Sequence, residues 1–302
     1  DGDMAVVTVE GATIYSPLPL GEGQGEGSLK NTDSSDSPHP TLSQGERAFA
    51  AVTRPRHQLT NDVTKISKEP HAHFMLKEIY EQPAVVGDTL TSLYNPATRQ
   101  VMLPDLHIDL ANVTRVNIVA CGTSYYAGLA ASYWLSEIAR LPVHVEIASE
   151  FRYKQPVLEP GGMSIVISQS GETADTLAAM EYIKQHQPVV AIVNVAGSSI
   201  ARAASGVVHT HAGPEIGVAS TKAFTTQLVA LACLTLHIAE LQGKITREQA
   251  ESHLHDLLTV PELMSTILGQ EAAIQTMAED VVKARDVLYL GRGTSYAIAM
   301  EG

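Results

Sequence analysis

The sequence predicts an α/β fold, in which helices cover both faces of a parallel sheet to give a doubly wound, three-layer αβα sandwich. After Asn112, short apolar segments alternate with segments of helical spacing. The apolar segments run with few polar interruptions, as is typical of strands buried on both faces of a parallel sheet. Hydrophobic residues make up 44% of the chain but aromatic residues only 5%, so small aliphatic side chains dominate, which suits this fold class.

The individual elements follow from these patterns. Five apolar segments are predicted to be strands: 116–121, 143–148, 163–168, 189–195 and 207–211. Three longer segments are predicted to be helices: 126–140, 173–185 and 221–241. A helical stretch over 248–285, which contains Pro261, then leads to a further strand at 287–290. Before the sheet, residues 75–93 have helical spacing interrupted by Pro83, which predicts two helices with a break between them.

The N-terminal residues have a different character. Residues 5–9 and 12–15 are short β-branched segments separated by Glu10-Gly11, which predicts a hairpin. Two strands alone do not make a domain, so we interpret them as the last strands of another one. Residues 16–47 contain five Gly, four Pro and six Ser with almost no apolar periodicity, which predicts disorder. We interpret this segment as a low-complexity insert, with a flexible tether between domains as the alternative.

Charge and composition disfavour several classes of protein. Lys and Arg number 20 against 33 Asp and Glu, so the formal net charge of -13 disfavours nucleic-acid binding. The two cysteines, Cys121 and Cys233, lie in apolar segments, where we expect buried thiols in a reducing compartment rather than a disulfide. The sequence contains neither an unbroken membrane-spanning stretch nor a signal pattern at its start, so we expect a soluble, cytoplasmic protein. Because both ends fall within sequence patterns, we expect a fragment.

An internal repeat occurs at domain-sized spacing. The string VNIVACGTSYYAG at 116–128 aligns without gaps on VLYLGRGTSYAIA at 287–299, 171 residues later. Solenoid repeats have periods of about 20 to 50 residues, so the longer spacing predicts two duplicated domains. The second copy begins near residue 287.

Two polar turns are the strongest candidates for a binding site. Residues 121–124 (CGTS) follow the first predicted strand of the sheet, and residues 168–173 (SQSGET) follow the third. Ligands of open α/β sheets collect at the carboxyl ends of strands, where helix N-termini supply N–H donors and a partial positive charge. Hydroxyls and amides at both turns suit a monophosphate held without a Lys or Arg clamp. Neither turn contains a nucleotide-binding pattern of the GxxxxGK[ST] or GxGxxG kind.

Ordinary helix capping is the alternative explanation for each polar turn, and the occurrence of two such turns favours anion binding. A third polar segment, 213–222, leads into the helix at 221–241, with Ser220 or Thr221 as the expected N-cap. Glu215 and Lys222 could border the same pocket. We nevertheless expect each of them to be a solvated charge or part of a surface ion pair.

Three His-x-His pairs raise the question of a metal site: His71/His73, His209/His211 and His253/His255. The pairs lie in different segments and lack the Cys or carboxylate spacing of a zinc site. Residues two apart on a helix do not share a face. We therefore predict no metal site.

Five strings resemble the isomerase half of the glucosamine-6-phosphate synthase family: HFMLKEIYEQP (73–83), VACGTSYYAG (119–128), EIASEFRY (146–153), SQSGETADTL (168–177) and EIGVASTKAFTTQ (215–227). The last two are the most specific. The resemblance implies a flavodoxin-like SIS domain, a sugar-phosphate-binding unit, over residues 71–243. It further implies that residues 1–15 end a glutaminase domain, that residues 16–70 are the insert and interdomain linker, and that residues 244–302 are connecting helices and the start of a second SIS domain.

The resemblance also implies a function. The family is a glutamine-fructose-6-phosphate transaminase (isomerizing), which makes glucosamine 6-phosphate, for the UDP-N-acetylglucosamine pathway, from fructose 6-phosphate and glutamine without a metal or organic cofactor. It implies a homodimer that pairs through its SIS domains. By motif match, the residues at the sugar phosphate are Thr123, Ser124, Ser168, Gln169, Ser170 and Thr173, and those at the polar end of the sugar are Val218 and Ser220.

The family's catalytic groups fall outside this sequence. They are the nucleophilic Cys of the glutaminase, the proton-transferring Glu, a C-terminal Lys and a His from a neighbouring subunit, so we expect the chain alone to be inactive. One alternative is an SIS-type sugar-phosphate isomerase or deaminase, which the glutaminase-like residues 1–15 disfavour. The other is an SIS ligand-sensing module, which would carry a basic helix-turn-helix domain, and the sequence before residue 70 has no such pattern.

Limited proteolysis tests the predicted domain organisation. Gly-, Pro- and Ser-rich sequence without an apolar face is expected to be cut first, so the earliest cleavages should fall within residues 16–56. Mass spectrometry of the fragments locates the cuts. Protection of residues 16–56 together with early cleavage inside 116–241 would contradict the predicted boundary.

Overall fold

A computed structural model of the chain describes residues 67–302 and the backbone of three short strands before them. These strands are β1 (Met4–Thr8), β2 (Gly11–Pro17) and β3 (Phe49–Val52), joined in that order as an antiparallel sheet. Pairing of Met4 with Tyr15 and of Thr8 with Gly11 confirms the predicted hairpin. The third strand was not predicted, because its four residues follow the low-complexity segment. Residues 16 and 17 of the low-complexity segment belong to β2 rather than being disordered, and residues 18–47 lie outside the described residues.

The second unit, 62–302, contains the rest of the described chain. Its helices are α1 (Phe74–Leu93), α2 (Gly122–Glu137), α3 (Ala148–Lys154), α4 (Ala174–Ile183), α5 (Ser199–Ala203), α6 (Lys222–Leu241), α7 (Arg247–Leu268), α8 (Glu271–Val281) and α9 (Thr294–Glu301). Its strands are β4 (Tyr94–Asn95), β5 (Gln100–Val101), β6 (Arg115–Ala120), β7 (Val143–Ile147), β8 (Gly162–Ser168), β9 (Val189–Val193) and β10 (Gly206–His209). β4 and β5 form a small antiparallel pair.

The main sheet is parallel and has the order β10-β9-β8-β6-β7. Numbered along the chain, this is the flavodoxin-like order 2-1-3-4-5 read from the other edge, with the order reversing between β6 and β8. Every residue of β8 and β9 is buried, as the continuous apolar segments predicted. The predicted fold class is confirmed.

Two apolar cores sandwich the sheet. Successive residues of a strand point to opposite faces, so Ile118 of β6 packs into a core with α1, α2, α6 and α7, and Val119 into one with α3, α4 and α5. Among the described helices, α6 has the length and composition of a membrane span, but 67% of that stretch is buried inside the protein. It is therefore the central helix of the larger core.

The predicted break at Pro83 is wrong, because α1 runs through it without interruption. Proline has no N–H for the carbonyl four residues earlier, which here belongs to Ile79. The side-chain amide of Gln82 donates to that carbonyl at 3.1 Å instead. This replacement bond, together with burial of the apolar face beyond the proline, keeps the helix continuous.

The prediction for the C-terminal part holds for the helix of the repeat but not for its strand. α9 begins at Thr294, as the GTSY repeat indicated, and the predicted helical stretch 248–285 forms α7 and α8. Residues 287–290 have no strand conformation. A strand needs a hydrogen-bonded neighbour, and within 67–302 none pairs with this segment.

Gly128 on α2 provides a test of the packing between helix and sheet. A Cβ atom there would lie 2.6 Å from Cγ2 of Ile118, which is fully buried in β6. Alanine normally stabilises a helix interior by about 1 kcal/mol relative to glycine, whereas overpacking costs about 1–3 kcal/mol. We expect Gly128→Ala to lower the free energy of unfolding by about 1 kcal/mol, measured by urea unfolding.

Gly197→Ala is the matched control, since a Cβ there has no atom within 4 Å. Its free energy of unfolding should stay within about 0.5 kcal/mol of the unmodified chain. A stabilised Gly128→Ala variant would show that the helix can move away from the sheet.

Candidate functional site

The two polar turns predicted from the sequence lie side by side. Ala120, the last residue of β6, pairs with Ile167 of β8, so the β6–α2 turn (residues 121–124) and the β8–α4 turn (residues 168–173) leave neighbouring strands at the same sheet edge. This is the point at which the strand order reverses. In open α/β folds, that crevice is where ligands bind.

The β8–α4 turn is shaped by its own hydroxyls. The Oγ of Ser168, buried in the structure, accepts a hydrogen bond from the Gly171 N–H at 3.0 Å and lies 2.8 Å from Oγ1 of Thr173. Ser170 Oγ accepts from the Glu172 N–H at 3.2 Å. Gly171 has a φ of +64°, and a Cβ atom there would overlap Ser198. The turn therefore has one well-defined conformation that requires glycine at its tip.

The helices that start at these turns are not capped by side chains. The N-cap residues are Cys121 for α2 and Thr173 for α4, and neither makes a side-chain capping bond. By contrast, Ser198 and Thr246 cap α5 and α7 through their hydroxyls. Uncapped first-turn N–H groups are a common site for anions. The alternative explanation, that the polar residues of these two turns cap the helices, is therefore not supported at either N-cap residue.

Carboxylates near the β8–α4 turn are each bonded to another element. Glu172 accepts from the Ser199 N–H at 2.7 Å, and this bond, with one to the Ser199 side chain, lowers the pKa of Glu172 below its usual value. Asp175, in the first turn of α4, accepts from Arg152 of α3 at 2.7 Å. Arg152 is therefore committed to an ion pair. The described contacts thus leave hydroxyls and backbone amides as the donors of the turn.

The β6–α2 turn also contacts the second copy of the repeat. Oγ1 of Thr123 donates to the carboxylate of Glu301, the last residue of α9, at 2.8 Å. Partial burial raises the pKa of Glu301, although the bond from Thr123 opposes the shift. Within residues 67–302, Ser124 makes no side-chain hydrogen bond, so its hydroxyl is available to a ligand. Sequence analysis did not identify Glu301, whose proximity depends on packing of α9 against α2.

The third polar segment contradicts the expectation of solvated charges. Residues 213–221, the β10–α6 loop, connect β10 to α6. Thr221 is the N-cap residue of α6, one of the two predicted, but its hydroxyl makes no capping bond. Glu215 instead accepts from the backbone N–H groups of Thr221 and Ala223, at 2.9 and 3.2 Å. Lys222 is only 3% exposed and pairs with Glu81 at 2.6 Å. Backbone amides thus satisfy Glu215, and the half-buried carboxylate of Glu81 neutralises Lys222.

The two predicted residues of this loop have different surroundings. Ser220 Oγ donates to Glu215 at 3.0 Å, and the Val218 side chain is fully exposed. The loop follows β10, two strands away from β8. Asn194 at the end of β9 connects them, because its N–H donates to the Gln169 carbonyl at 3.2 Å and its side chain donates to the Gly213 carbonyl at 2.8 Å. Asn194 was missed because a lone polar residue after a strand carries no distinctive pattern.

Other cavities and residue clusters of the described chain lie elsewhere. An open cavity of about 480 Å³ between α2, α6 and α7 is lined mainly by apolar side chains such as Leu228, Val260 and Met264, so it lacks the cluster of hydroxyls and amides that the two strand-end turns provide. Within 67–302, no three His, Cys, Asp or Glu side chains are grouped as metal ligands. The strand-end turns therefore remain the candidate site on chemical grounds.

Comparisons with known proteins agree on the domain type. The SIS domain family matches residues 109–237, which include both polar turns and most of the main domain. A glutamine–fructose-6-phosphate aminotransferase [isomerizing] of Zymomonas mobilis is 44% identical over 97% of this chain and 51% of its own length. The enzyme of that name from Bradyrhizobium diazoefficiens is 50% identical over 83% of this chain and 42% of its own. The chain thus spans about half the length of these curated relatives.

A solved structure gives the same result. The C-terminal domain of glucosamine-fructose-6-phosphate aminotransferase from Francisella tularensis is 42% identical, with a TM-score of 0.74 over 78% of this chain and 66% of that one. A TM-score of 0.74 shows that the two chains share a fold over the matched residues.

The lowered pKa of Glu172 predicts how its anchoring bond depends on pH. A carboxylate whose pKa is lower in the folded protein stabilises it above the unfolded value, and that stabilisation is lost as the pH falls through the folded value. We expect Glu172→Gln to lower the melting temperature at pH 7, and the difference from the unmodified chain to shrink as the pH falls from about 4.3, the ordinary value for Glu, through the lowered pKa of Glu172. Calorimetric melts between pH 3 and 7 measure this. A difference that stays constant over the range would mean that Glu172 acts by packing rather than by charge.

Proposed function

The chain contains an SIS domain and is a homologue of the isomerizing glutamine–fructose-6-phosphate aminotransferases, and from this premise we propose that it is the sugar-phosphate-binding part of such an enzyme. The complete enzyme would make glucosamine 6-phosphate from fructose 6-phosphate and glutamine. The identity of 42% to 50% over most of the chain supports this assignment. We assign substrate binding to the described residues and no proton transfer, so the chain alone should not complete the reaction.

One observation carries the proposal. Two polar turns with uncapped helix starts leave adjacent parallel strands at the point where the sheet order reverses. A phosphate bound there would accept hydrogen bonds from backbone N–H groups and from the hydroxyls of Ser124 and Ser170. Ser168 and Thr173, whose hydroxyls hydrogen-bond to each other, would hold the turn in shape. The hydroxyl hydrogen that this bond leaves free would donate to the phosphate.

The other predicted residues have secondary roles in this proposal. Thr123 would hold Glu301 at the edge of the site, and Gln169 would keep the turn attached to Asn194 through its backbone carbonyl. Val218 and Ser220 would border the sugar, from the β10–α6 loop. Ser220 would act through its neighbours, because its hydroxyl already donates to Glu215.

The assembly and environment are also part of the proposal. We propose that the chain pairs as a homodimer through its SIS domains, as its resemblance to the family implies. A cytoplasmic, reducing location suits the free thiols of Cys121 and Cys233. Burial raises the pKa of the Cys233 thiol to about 12, so that thiol stays protonated and unreactive.

Ser170→Ala tests the binding proposal directly. A hydrogen bond from a hydroxyl to a charged phosphate contributes about 1.5–3 kcal/mol, so the affinity for glucose 6-phosphate should fall about tenfold or more. The melting temperature should change little, since only the bond from the Glu172 N–H is lost from the folded chain. Isothermal calorimetry and thermal unfolding measure the two quantities.

Ser252→Ala is the control, because Ser252 is exposed on α7 and belongs to neither turn. Its affinity for glucose 6-phosphate should equal that of the unmodified chain. Unchanged affinity of Ser170→Ala with a lowered melting temperature would mean that Ser170 shapes the turn and does not contact phosphate.

A further inference from the structure

The β10–α6 loop is attached to the rest of the domain mainly through its backbone. Its Ile216 and Val218 side chains are exposed, 43% and fully, so apolar packing contributes little to its position. Glu78 of α1, which is 138 residues away in sequence, accepts from the Ile216 N–H at 2.5 Å and from the Gly217 N–H at 3.1 Å. A charged acceptor makes stronger bonds to N–H groups than a neutral one. These bonds fix the middle of the loop against α1.

Among the described residues, the hydrogen bonds of the Glu78 carboxylate all go to this loop. The residue is 2% exposed, and a buried carboxylate is costly unless hydrogen bonds or a counter-charge satisfy it. Within residues 67–302 its hydrogen-bond partners are the two loop amides, whereas Glu81, one turn further along α1, holds the buried Lys222. The carboxylate and the loop therefore depend on each other.

Gly217 shows how closely the two fit. A Cβ atom at this position would lie 2.5 Å from Oε2 of Glu78. Its φ is not in the left-handed region, so the backbone itself would accept alanine. The glycine is therefore required by the approach of the carboxylate rather than by the loop conformation.

Asn194 fixes the other end of the same loop. Its side-chain amide donates to the Gly213 carbonyl and accepts from the Ala212 N–H. Its backbone N–H donates to the Gln169 carbonyl in the β8–α4 turn. The loop is thus held at one end to the proposed phosphate turn, and in the middle to α1 by Glu78. The distance between the phosphate turn and Val218 depends on both attachments.

We propose that Glu78 is a positioning residue that sets the sugar-facing part of the site, so that it governs recognition of the sugar but not of the phosphate. This inference rests on the proposed function, since it assigns the β10–α6 loop to the sugar and the strand-end turns to the phosphate. Glu78 contacts no ligand itself and acts by holding the backbone of residues 216 and 217.

The test compares two probes on the full 302-residue chain. Glu78→Gln removes the negative charge and leaves one acceptor oxygen in place of two, so the bonds from the loop amides become weaker. By isothermal calorimetry, we expect binding of glucose 6-phosphate to weaken about tenfold, and binding of inorganic phosphate to stay within about twofold of the unmodified chain. Asp88→Asn, which neutralises an exposed carboxylate on the same helix, is the control and should leave both affinities unchanged.

Gly217→Ala approaches the same contact from the loop side and serves if Glu78→Gln does not fold. It should give the same selective loss of glucose 6-phosphate binding. In the double variant the two losses should not add, because both disrupt one contact.

The outcomes separate this inference from the proposed function. Equal weakening of both probes, or unchanged glucose 6-phosphate binding in folded Glu78→Gln and Gly217→Ala, overturns the role of Glu78 and leaves the phosphate site standing. An unmodified chain that binds neither probe, or a Ser170→Ala variant with full affinity for both, overturns the phosphate site and the inference with it.

Discussion

Parallel pairing of β6 with β8 is the constraint on which the rest of the structure depends. The two strands are separated in the chain by α2, β7 and α3, yet their pairing places Ala120 beside Ile167 and so puts two strand-end turns next to each other. Parallel neighbours require a crossover, and the crossover buries both faces of the sheet under helices. The strand order, the two cores and the crevice between the turns all follow from that one pairing.

Acidic residues near the candidate anion site are compatible with anion binding, because their carboxylates are hydrogen-bonded or paired with other groups of the protein. Glu78, Glu172 and Glu215 each accept hydrogen bonds from backbone N–H groups. Asp175 is neutralised by Arg152. A chain with a net charge of -13 can therefore present neutral hydroxyls and unpaired amides at the crevice. The carboxylates serve as anchors for turns and loops that have little apolar side chain to bury.

A site built from neutral donors depends strongly on geometry. A Lys or Arg side chain can follow a phosphate as it moves, whereas a hydroxyl or an N–H bonds well only within a narrow range of distance and angle. Gly171, held against Ser198, and Asn194, which joins the turn to the β10–α6 loop, are therefore as important to the proposed site as the hydroxyls themselves. In a site without Lys or Arg, rigid attachment of each turn is what keeps the donors at the right distance and angle for the phosphate.

The sequence by itself determined the five strands of the sheet, the longer helices α2, α4 and α6, and the two polar turns, because these depend on local pattern: continuous apolar segments for the buried strands, and Ser, Thr and Gly at their ends. It did not predict α3 and α5, which are too short to show helical spacing. It did not determine how Pro83 would be tolerated, because the compensating bond from Gln82 forms only within the folded helix. The strand predicted at 287–290 failed because an apolar pattern cannot supply the hydrogen-bonded neighbour that a strand requires. Only the tertiary structure brought Glu301 to Thr123 and Glu78 to Gly217, since such contacts join residues more than a hundred positions apart. It also placed Lys222, an expected surface charge, in a buried ion pair and made the half-buried Glu215 a hydrogen-bond acceptor at the start of α6, because burial is a property of the packed fold and not of the residues themselves.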